Sequence, residues 1–213
     1  MGTQVMIDLI GSIVVFGWLL LMSLRLNTQN QENMQTLNGD LLVQENLVAV
    51  TQLLEYDFRK IGFCKEPNNL VDPTKAILLA DTSRIKFLTD IDRGSGPDGV
   101  LDTVLYFLGD TTELSQTPNP RDRYLYRVVL PDDVTPKGAN LGITSFTMKY
   151  FDRSGVPIPT PVGLSELQKI QTIQITLSVE NVYASTIVET TNQQYSSAFW
   201  QQVRLSSRNY RNR

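Results

Sequence analysis

The chain opens with a long apolar run that predicts a membrane-spanning or filament-core helix. From Leu9 to Leu24 the sequence holds no charged residue, and Asp8 alone interrupts the apolar stretch that begins at Val5. About 20 such residues make roughly 30 Å of α-helix, which is long enough to cross a hydrocarbon core. We therefore expect residues 1–25 to form a helix buried in a membrane or in the core of a filament.

A cleaved secretory signal is the competing interpretation of this run. Such a signal has basic residues before its apolar region and small residues at its exit. Here no Lys or Arg precedes the run, and the run leaves through Arg25, Leu26 and Asn27. The pattern favours a helix that stays attached to the rest of the chain.

Helical periodicity continues beyond the apolar run. Apolar residues at spacings of three and four predict one buried face, formed by Leu47, Val50, Leu54, Phe58 and Ile61. Met34, Leu37 and Leu41 form a weaker stripe before it. We predict one helix of about 55 residues and about 80 Å, with an amphipathic continuation over residues 26–63. We expect it to bend or break at Asn38-Gly39, because glycine weakens a helix interior.

The periodicity changes to two beyond Gly62, which predicts a globular β domain over residues 64–213. Apolar residues 173, 175, 177 and 179 alternate with polar ones, and residues 146–150 do the same. Other strands are predicted at 76–80, 84–89, 100–108, 124–130 and 199–205. One polar and one apolar face suit an antiparallel sheet covered on one side by the long helix. The predicted class is α+β, with a long N-terminal helix packed on an antiparallel sheet.

Composition argues against most enzyme mechanisms and against nucleic acid as a partner. The chain has no histidine, which removes the usual general base and the commonest neutral metal ligand. A carboxylate-pair glycosidase is the enzyme class left open, but no motif supports it. The formal net charge of -3 and the pI near 5.0 give no general attraction to phosphate backbones. We expect no catalytic residue and no cofactor other than calcium.

Asp8 is the charged residue of greatest interest, because an ionised carboxylate in an apolar membrane helix is costly unless a partner or water meets it. In one interpretation the carboxylate lies at headgroup depth near the helix N-terminus, where the helix dipole favours it. In the other it pairs with a positive group on a neighbouring subunit.

A second group of acidic residues lies in a glycine-rich loop at residues 90–99 and just beyond it. Asp90, Asp92, Asp98 and Asp102 offer the oxygen ligands that a hard cation such as calcium prefers. The spacing is not that of an EF-hand, since Leu101 stands where the bidentate glutamate belongs. The segment is either a calcium-binding loop or an ordinary solvated hairpin loop.

Several segments, taken in order, resemble the minor pilins and pseudopilins of type IV pilus and type II secretion systems. The resemblance is closest to the PilW-like and J-type pseudopilin group. Met6-Ile7-Asp8-Leu9 before an apolar helix is similar to the class III signal core of that family, and LLEYDFRKIGFC at 53–64 is similar to its helix end. The ordered β segments DTVLYFLGD, RYLYRVV, ITSFTMKYFDRSG and VRLSSRN complete the likeness.

The resemblance implies a non-enzymatic subunit that helps to initiate or cap a filament. Its partners are then other pilin or pseudopilin subunits, met through the N-terminal helix, and Asp8 pairs with the positive N-terminus of a neighbour. Its implied location is the bacterial inner membrane, as a single-pass protein with its β domain periplasmic or extracellular. Arg25, directly after the apolar run, favours the opposite orientation on charge alone.

The same resemblance implies a prepilin peptidase as a processing partner, with Gly2, Thr3 and Gln4 around the cut. If Asp8 is the fifth mature residue, then Gln4 is the first and Thr3 precedes the cut; cutting after Gly2 makes Asp8 the sixth. The alternative function is a membrane-stalked binding or adhesive module with a calcium-stabilised loop.

Overall fold

The protein combines one long α-helix with an antiparallel β-sheet, which confirms the predicted α+β class. A computed structural model describes residues 2–133, 135–182, 195 and 197–205. The helix α1 spans Gly2–Arg59. The strands within the described residues are β1 (Ile77–Ala80), β2 (Arg84–Thr89), β3 (Asp102–Leu108), β4 (Arg123–Leu130), β5 (Gly138–Phe151), β6 (Pro157–Ile158), β7 (Thr172–Glu180) and β8 (Ser197–Leu205).

Neighbouring strands pair in the order β1-β2-β3-β4-β5-β7-β8, and β6 pairs with the end of β5. The predicted strands at 84–89 and 172–180 coincide with β2 and β7, and most others differ by one or two residues at an end. The exception is β5, which is much longer than the alternation at 146–150 indicated. The first part of β5 pairs with β4 and the second part pairs with β7. A strand that pairs with two neighbours along different parts of its length is longer than one that pairs with both along the same residues.

The amphipathic face of α1 packs against β5, β7 and β8, as the helical spacing predicted. Val50, Leu54 and Phe58 are at most 2 % exposed, and Leu47 is half-buried. The helix ends at Arg59, short of the predicted residue 63, so the buried Ile61 lies in the turn that follows it. The partners of these residues on the sheet are large buried side chains of its inner face, among them Phe87, Tyr106, Phe146, Ile175 and Leu177. Burial of this apolar surface holds the second half of the helix on the sheet.

Of the bend or break predicted at Asn38-Gly39, the break is wrong, since α1 runs through both residues. The absence of a side chain at Gly39 makes room for a neighbouring residue. Asn181, just after β7, lies so close that a Cβ added to Gly39 would stand 2.9 Å from the Asn181 Cγ. Glycine therefore lets the end of β7 reach the helix backbone. Burial of α1 begins here, because the side chains that the structure describes in residues 2–4, 6–35, 37 and 38 are exposed apart from half-buried Gly17.

Candidate functional site

The first half of α1 exposes apolar side chains around its whole circumference. Large apolar residues from Met6 to Leu26 are 46–67 % exposed. In the described part of the chain, α1 is the one helix long and apolar enough to cross a membrane. An exposed apolar surface of this size is typical of a region that contacts a membrane or another protein.

Asp8 lies on this exposed half, where its carboxylate is open to a partner. Gly11, Ser12, Val15 and Leu19 line the same side of the helix. The Ser12 hydroxyl donates to the backbone carbonyl oxygen of Asp8 at 2.7 Å, which leaves the carboxylate uninvolved in that bond. The small residues one turn along give another helix room to approach the acid closely.

The residues around the predicted processing site also lie in α1. Gly2, Thr3 and Gln4 belong to its first turn and are exposed. They lie far from the part of α1 that packs on the sheet, and none of them belongs to the buried core. Cleavage beside them stays a prediction.

The acidic loop is organised around Asp90, which is fully buried. Its carboxylate accepts hydrogen bonds from the backbone N–H groups of Lys65 at 3.0 Å, Gly99 at 2.9 Å and Asp98 at 3.2 Å. Three backbone donors meet the hydrogen-bonding needs of this buried carboxylate. Asp90 thus closes the loop on itself and ties it to the segment after α1.

Asp102, the second buried acid of the group, is paired with Arg93 from the middle of the same loop. The Arg93 Nη2 lies 2.6 Å from the Asp102 Oδ1, and the Ile91 N–H donates to Oδ2 at 2.9 Å. Arg93 also contacts Asp132 at 2.8 Å and Asp98 at 3.6 Å. Arg93 was not predicted from the sequence as a partner of these acids. A single basic residue within an acidic loop is the pattern that could have identified it.

Asp92 and Asp98 are exposed and cap turns of the loop. Asp92 accepts from the N–H groups of Gly94 at 2.8 Å and Gly96 at 2.9 Å, and these bonds hold its pKa below the usual range. Asp98 accepts from the Val100 N–H at 2.8 Å. Among the described residues no three acidic, histidine or cysteine side chains lie together in a way that could hold a metal ion.

A buried ion pair joins α1 to the sheet, and its members come from distant parts of the chain. Asp57 of α1 is fully buried, and its two oxygens lie 2.6 Å from the Nε and 3.2 Å from the Nη2 of Arg127 on β4. The hydroxyl of Tyr106, which faces Arg127 across β3 and β4, also donates to Asp57. Burial raises the Tyr106 pKa well above its ordinary value and the Asp57 charge adds to this, so the phenol keeps its proton.

Comparisons with known proteins gave a likeness of fold. No family model and no curated protein matches the sequence. Among the solved structures that resemble the chain is a type IV-like pilin from Thermus thermophilus, with a TM-score of 0.47 and 11 % identity. That alignment covers 78 % of this chain and 97 % of the pilin. At such an identity residue roles do not transfer from one chain to the other.

The predicted calcium site can be tested by thermal melting of the full chain with added calcium and with a chelator. We expect the two melting temperatures to agree, because N–H groups and Arg93 already meet the oxygens of Asp90 and Asp102. A cation would have to displace these partners before gaining its own contacts. Asp92→Asn serves as the control. Stabilisation by calcium that this variant loses would show that the loop is a metal site after all.

Proposed function

We propose that the chain is a non-enzymatic filament subunit, a minor pilin or pseudopilin of a type IV pilus-like or type II secretion filament that helps to initiate or cap assembly. The observation that carries the proposal is the exposed apolar half of α1. It continues without a break into the half that packs on the sheet. One helix thereby offers an assembly surface and carries a folded domain.

The length of the exposed surface favours a filament over a simple anchor. The exposed part of α1, residues 2–38, corresponds to roughly 55 Å, whereas a hydrocarbon core takes about 30 Å. Met34, Leu37 and Leu41 lie beyond the uncharged run and remain 58–59 % exposed. Apolar side chains at that distance lie beyond the hydrocarbon core and add nothing to a membrane anchor. A neighbouring subunit in a helical bundle can pack against them.

Asp8 is proposed to meet the positively charged N-terminus of a neighbouring subunit. Two opposite charges attract more strongly in a low-dielectric helix bundle than in water. The open carboxylate and the small Gly11 and Ser12 beside it support such a contact. Within the membrane before assembly, the same acid would sit near the polar end of the helix, where its cost is lowest.

The remaining parts of the proposal concern location and maturation. We place the chain in the bacterial inner membrane through residues 1–25, with the β domain on the periplasmic or extracellular side. A prepilin peptidase is the proposed processing enzyme, acting next to Gly2 or Thr3. Other pilin or pseudopilin subunits are the proposed partners of the processed helix.

Replacing Asp8 tests the proposed pairing. We expect Asp8→Ala to lower the amount of the chain in sheared filaments about tenfold, which corresponds to a coupling energy of about 1.4 kcal/mol. Asp8→Glu keeps the charge and should retain most of the incorporation. The measurement is quantitative mass spectrometry of filaments and of membranes from the same cells, so that loss of assembly is separated from loss of protein.

The matched control is Asp92→Asn, which removes an exposed acid from the β domain and should assemble normally. Two results would count against the proposal at different levels. Normal incorporation of Asp8→Ala would refute the pairing. Absence of the unaltered chain from every filament preparation, with normal levels in the membrane, would refute the filament role.

A further inference from the structure

A buried polar cluster lies between the end of β7 and the loop before β4. Its four members, called here the polar cluster, are Asn119, Asp122, Glu180 and Asn181. The Asn119 side-chain N–H group donates to the Glu180 carboxylate at 3.0 Å and to the Asn181 carbonyl oxygen at 3.3 Å. Arg121 forms an ion pair with Glu180 at 3.0 Å from the more exposed side.

Asp122 is the unsatisfied member of this cluster. It is 1 % exposed, and neither of its carboxylate oxygens has a hydrogen-bond partner among the described residues. The hydroxyl of Thr117 donates instead to the carbonyl oxygens of Leu114 at 2.9 Å and Asn119 at 3.1 Å. A buried carboxylate without donors is much more stable as the neutral acid than as the anion.

The charges that face Asp122 act in opposite directions. Burial is the main reason that the pKa of Asp122 is raised to about 6, and the Glu180 carboxylate acts in the same direction, whereas the nearby Thr117 hydroxyl and the Arg121 guanidinium act against the rise. Arg121 also lies over the ring of Tyr195, whose hydroxyl donates to the Pro118 carbonyl oxygen at 2.9 Å. One guanidinium thus stands beside two carboxylates, and it is already paired with Glu180.

The polar cluster lies where the sheet first touches the helix. Asn181 packs against Gly39, and burial of α1 begins at that point. Two turns along the helix from Gly39, the Asn46 side chain donates to the Leu141 carbonyl oxygen at 3.3 Å. The hydrogen bond from Asn119 to the Asn181 carbonyl oxygen therefore connects the surroundings of Asp122 to the helix contact.

We propose that Asp122 is a proton-binding position that controls how firmly the end of β7 holds the helix at Gly39. With the proton bound, the polar cluster contains a single carboxylate, and Arg121 neutralises it. Without the proton, two carboxylates face one another in a site that offers Asp122 no donor. The cluster then loosens, and the contact between Asn181 and Gly39 loosens with it. This device concerns the single chain and goes beyond its proposed role in a filament.

The direction of the pH dependence follows from the raised pKa. The ordinary pKa of an aspartate is 3.8 and that of Asp122 is about 6, so the folded chain binds the proton more tightly than the unfolded chain. The stabilisation is complete below pH 3.8 and is lost as the pH rises through about 6. Between about pH 5 and pH 7.5 the folding equilibrium constant should fall roughly tenfold through this group.

Hydrogen exchange of the full chain in mild detergent tests the proposal. After correction for intrinsic rates, we expect helix residues 39–46 to lose several-fold in protection between about pH 5 and pH 7.5, with most of the loss below about pH 6 and a level profile above about pH 7. Asp122→Asn keeps the shape of the side chain and cannot ionise, so its protection should not change over this interval. Glu166→Gln, which removes an exposed acid, should behave as the unaltered chain.

Two outcomes would overturn the proposal. The first is the same pH dependence in Asp122→Asn as in the unaltered chain, which would assign the effect to another group. The second is a pH dependence confined to residues 115–122, which would separate Asp122 from the helix contact. A flat profile at residues 39–46 of the unaltered chain between about pH 5 and pH 7.5 would contradict the proposal even without a variant.

Discussion

Replacing Arg127 by methionine is expected to lower the free energy of unfolding by about 3–5 kcal/mol, the range for removing one partner of a buried ion pair. The change leaves the Asp57 carboxylate fully buried between α1 and the sheet, with the Tyr106 hydroxyl as a remaining donor. A buried charge without its counter-ion is far less stable than one exposed to water. The contact between helix and sheet should weaken most.

Urea denaturation of the full chain in mild detergent, followed by circular dichroism, measures this loss. Arg59→Met is the matched control, because Arg59 pairs with Glu55 at 3.1 Å on the exposed side of the same helix. Exposed pairs of this kind contribute about 0–1 kcal/mol. A loss for Arg127→Met no larger than that of the control would show that Asp57 finds other donors or water. The double variant Asp57→Leu with Arg127→Met should recover part of the stability, because no charge is then left buried.

The elements that the sequence predicted best are those whose signal is local. Spacings of three and four around Leu54 and Phe58 have one explanation, a helix with a single buried face, and α1 carries that face. Alternation over 172–180 has one explanation as well, a strand with one buried side. Such periodicities arise from the geometry of a single element, so neighbouring residues are enough to reveal them.

Gly39 shows where local reasoning fails. Within the sequence it reads as a weak point of a helix, because glycine has more conformational freedom than other residues. In the folded chain its lack of a side chain admits Asn181, which is more than 140 residues away along the sequence. The same limit applies to Asp57 and Arg127, since no pattern near either residue identifies its partner.

The candidate site divides in the same way. Asp8 could be singled out because an acid in an apolar run is conspicuous whatever surrounds it. For Asp90 the sequence shows an available carboxylate, but it cannot show that the N–H groups of Lys65, Asp98 and Gly99 surround that carboxylate. From the acidic residues alone, a calcium-binding loop and an ordinary hairpin loop were both open, whereas the structure shows backbone donors and Arg93 beside these carboxylates.

Leu54→Ala should destabilise the chain much more than Leu53→Ala, although the two residues are adjacent. Leu54 is fully buried, so its truncation removes apolar contacts and leaves a cavity under α1, at an expected loss of about 2–5 kcal/mol in the free energy of unfolding. Leu53 is 41 % exposed on the far side of the helix, where the same truncation should change stability by about 0.5 kcal/mol or less. Alanine has at least as high a helix propensity as leucine, and both variants make the same change, so helix propensity does not account for the expected difference.

Urea denaturation of both variants under the conditions used for Arg127→Met measures the difference. Equal losses would contradict the assignment of the buried face, because a helix rotated about its axis would cover Leu53 as well. The expected asymmetry means that α1 separates two tasks by its faces. Leu54 and its neighbours hold the helix on its own sheet, whereas Leu53 belongs to the surface left for other subunits in the proposed filament. Substitutions on the outer face should therefore alter assembly while the single chain stays folded.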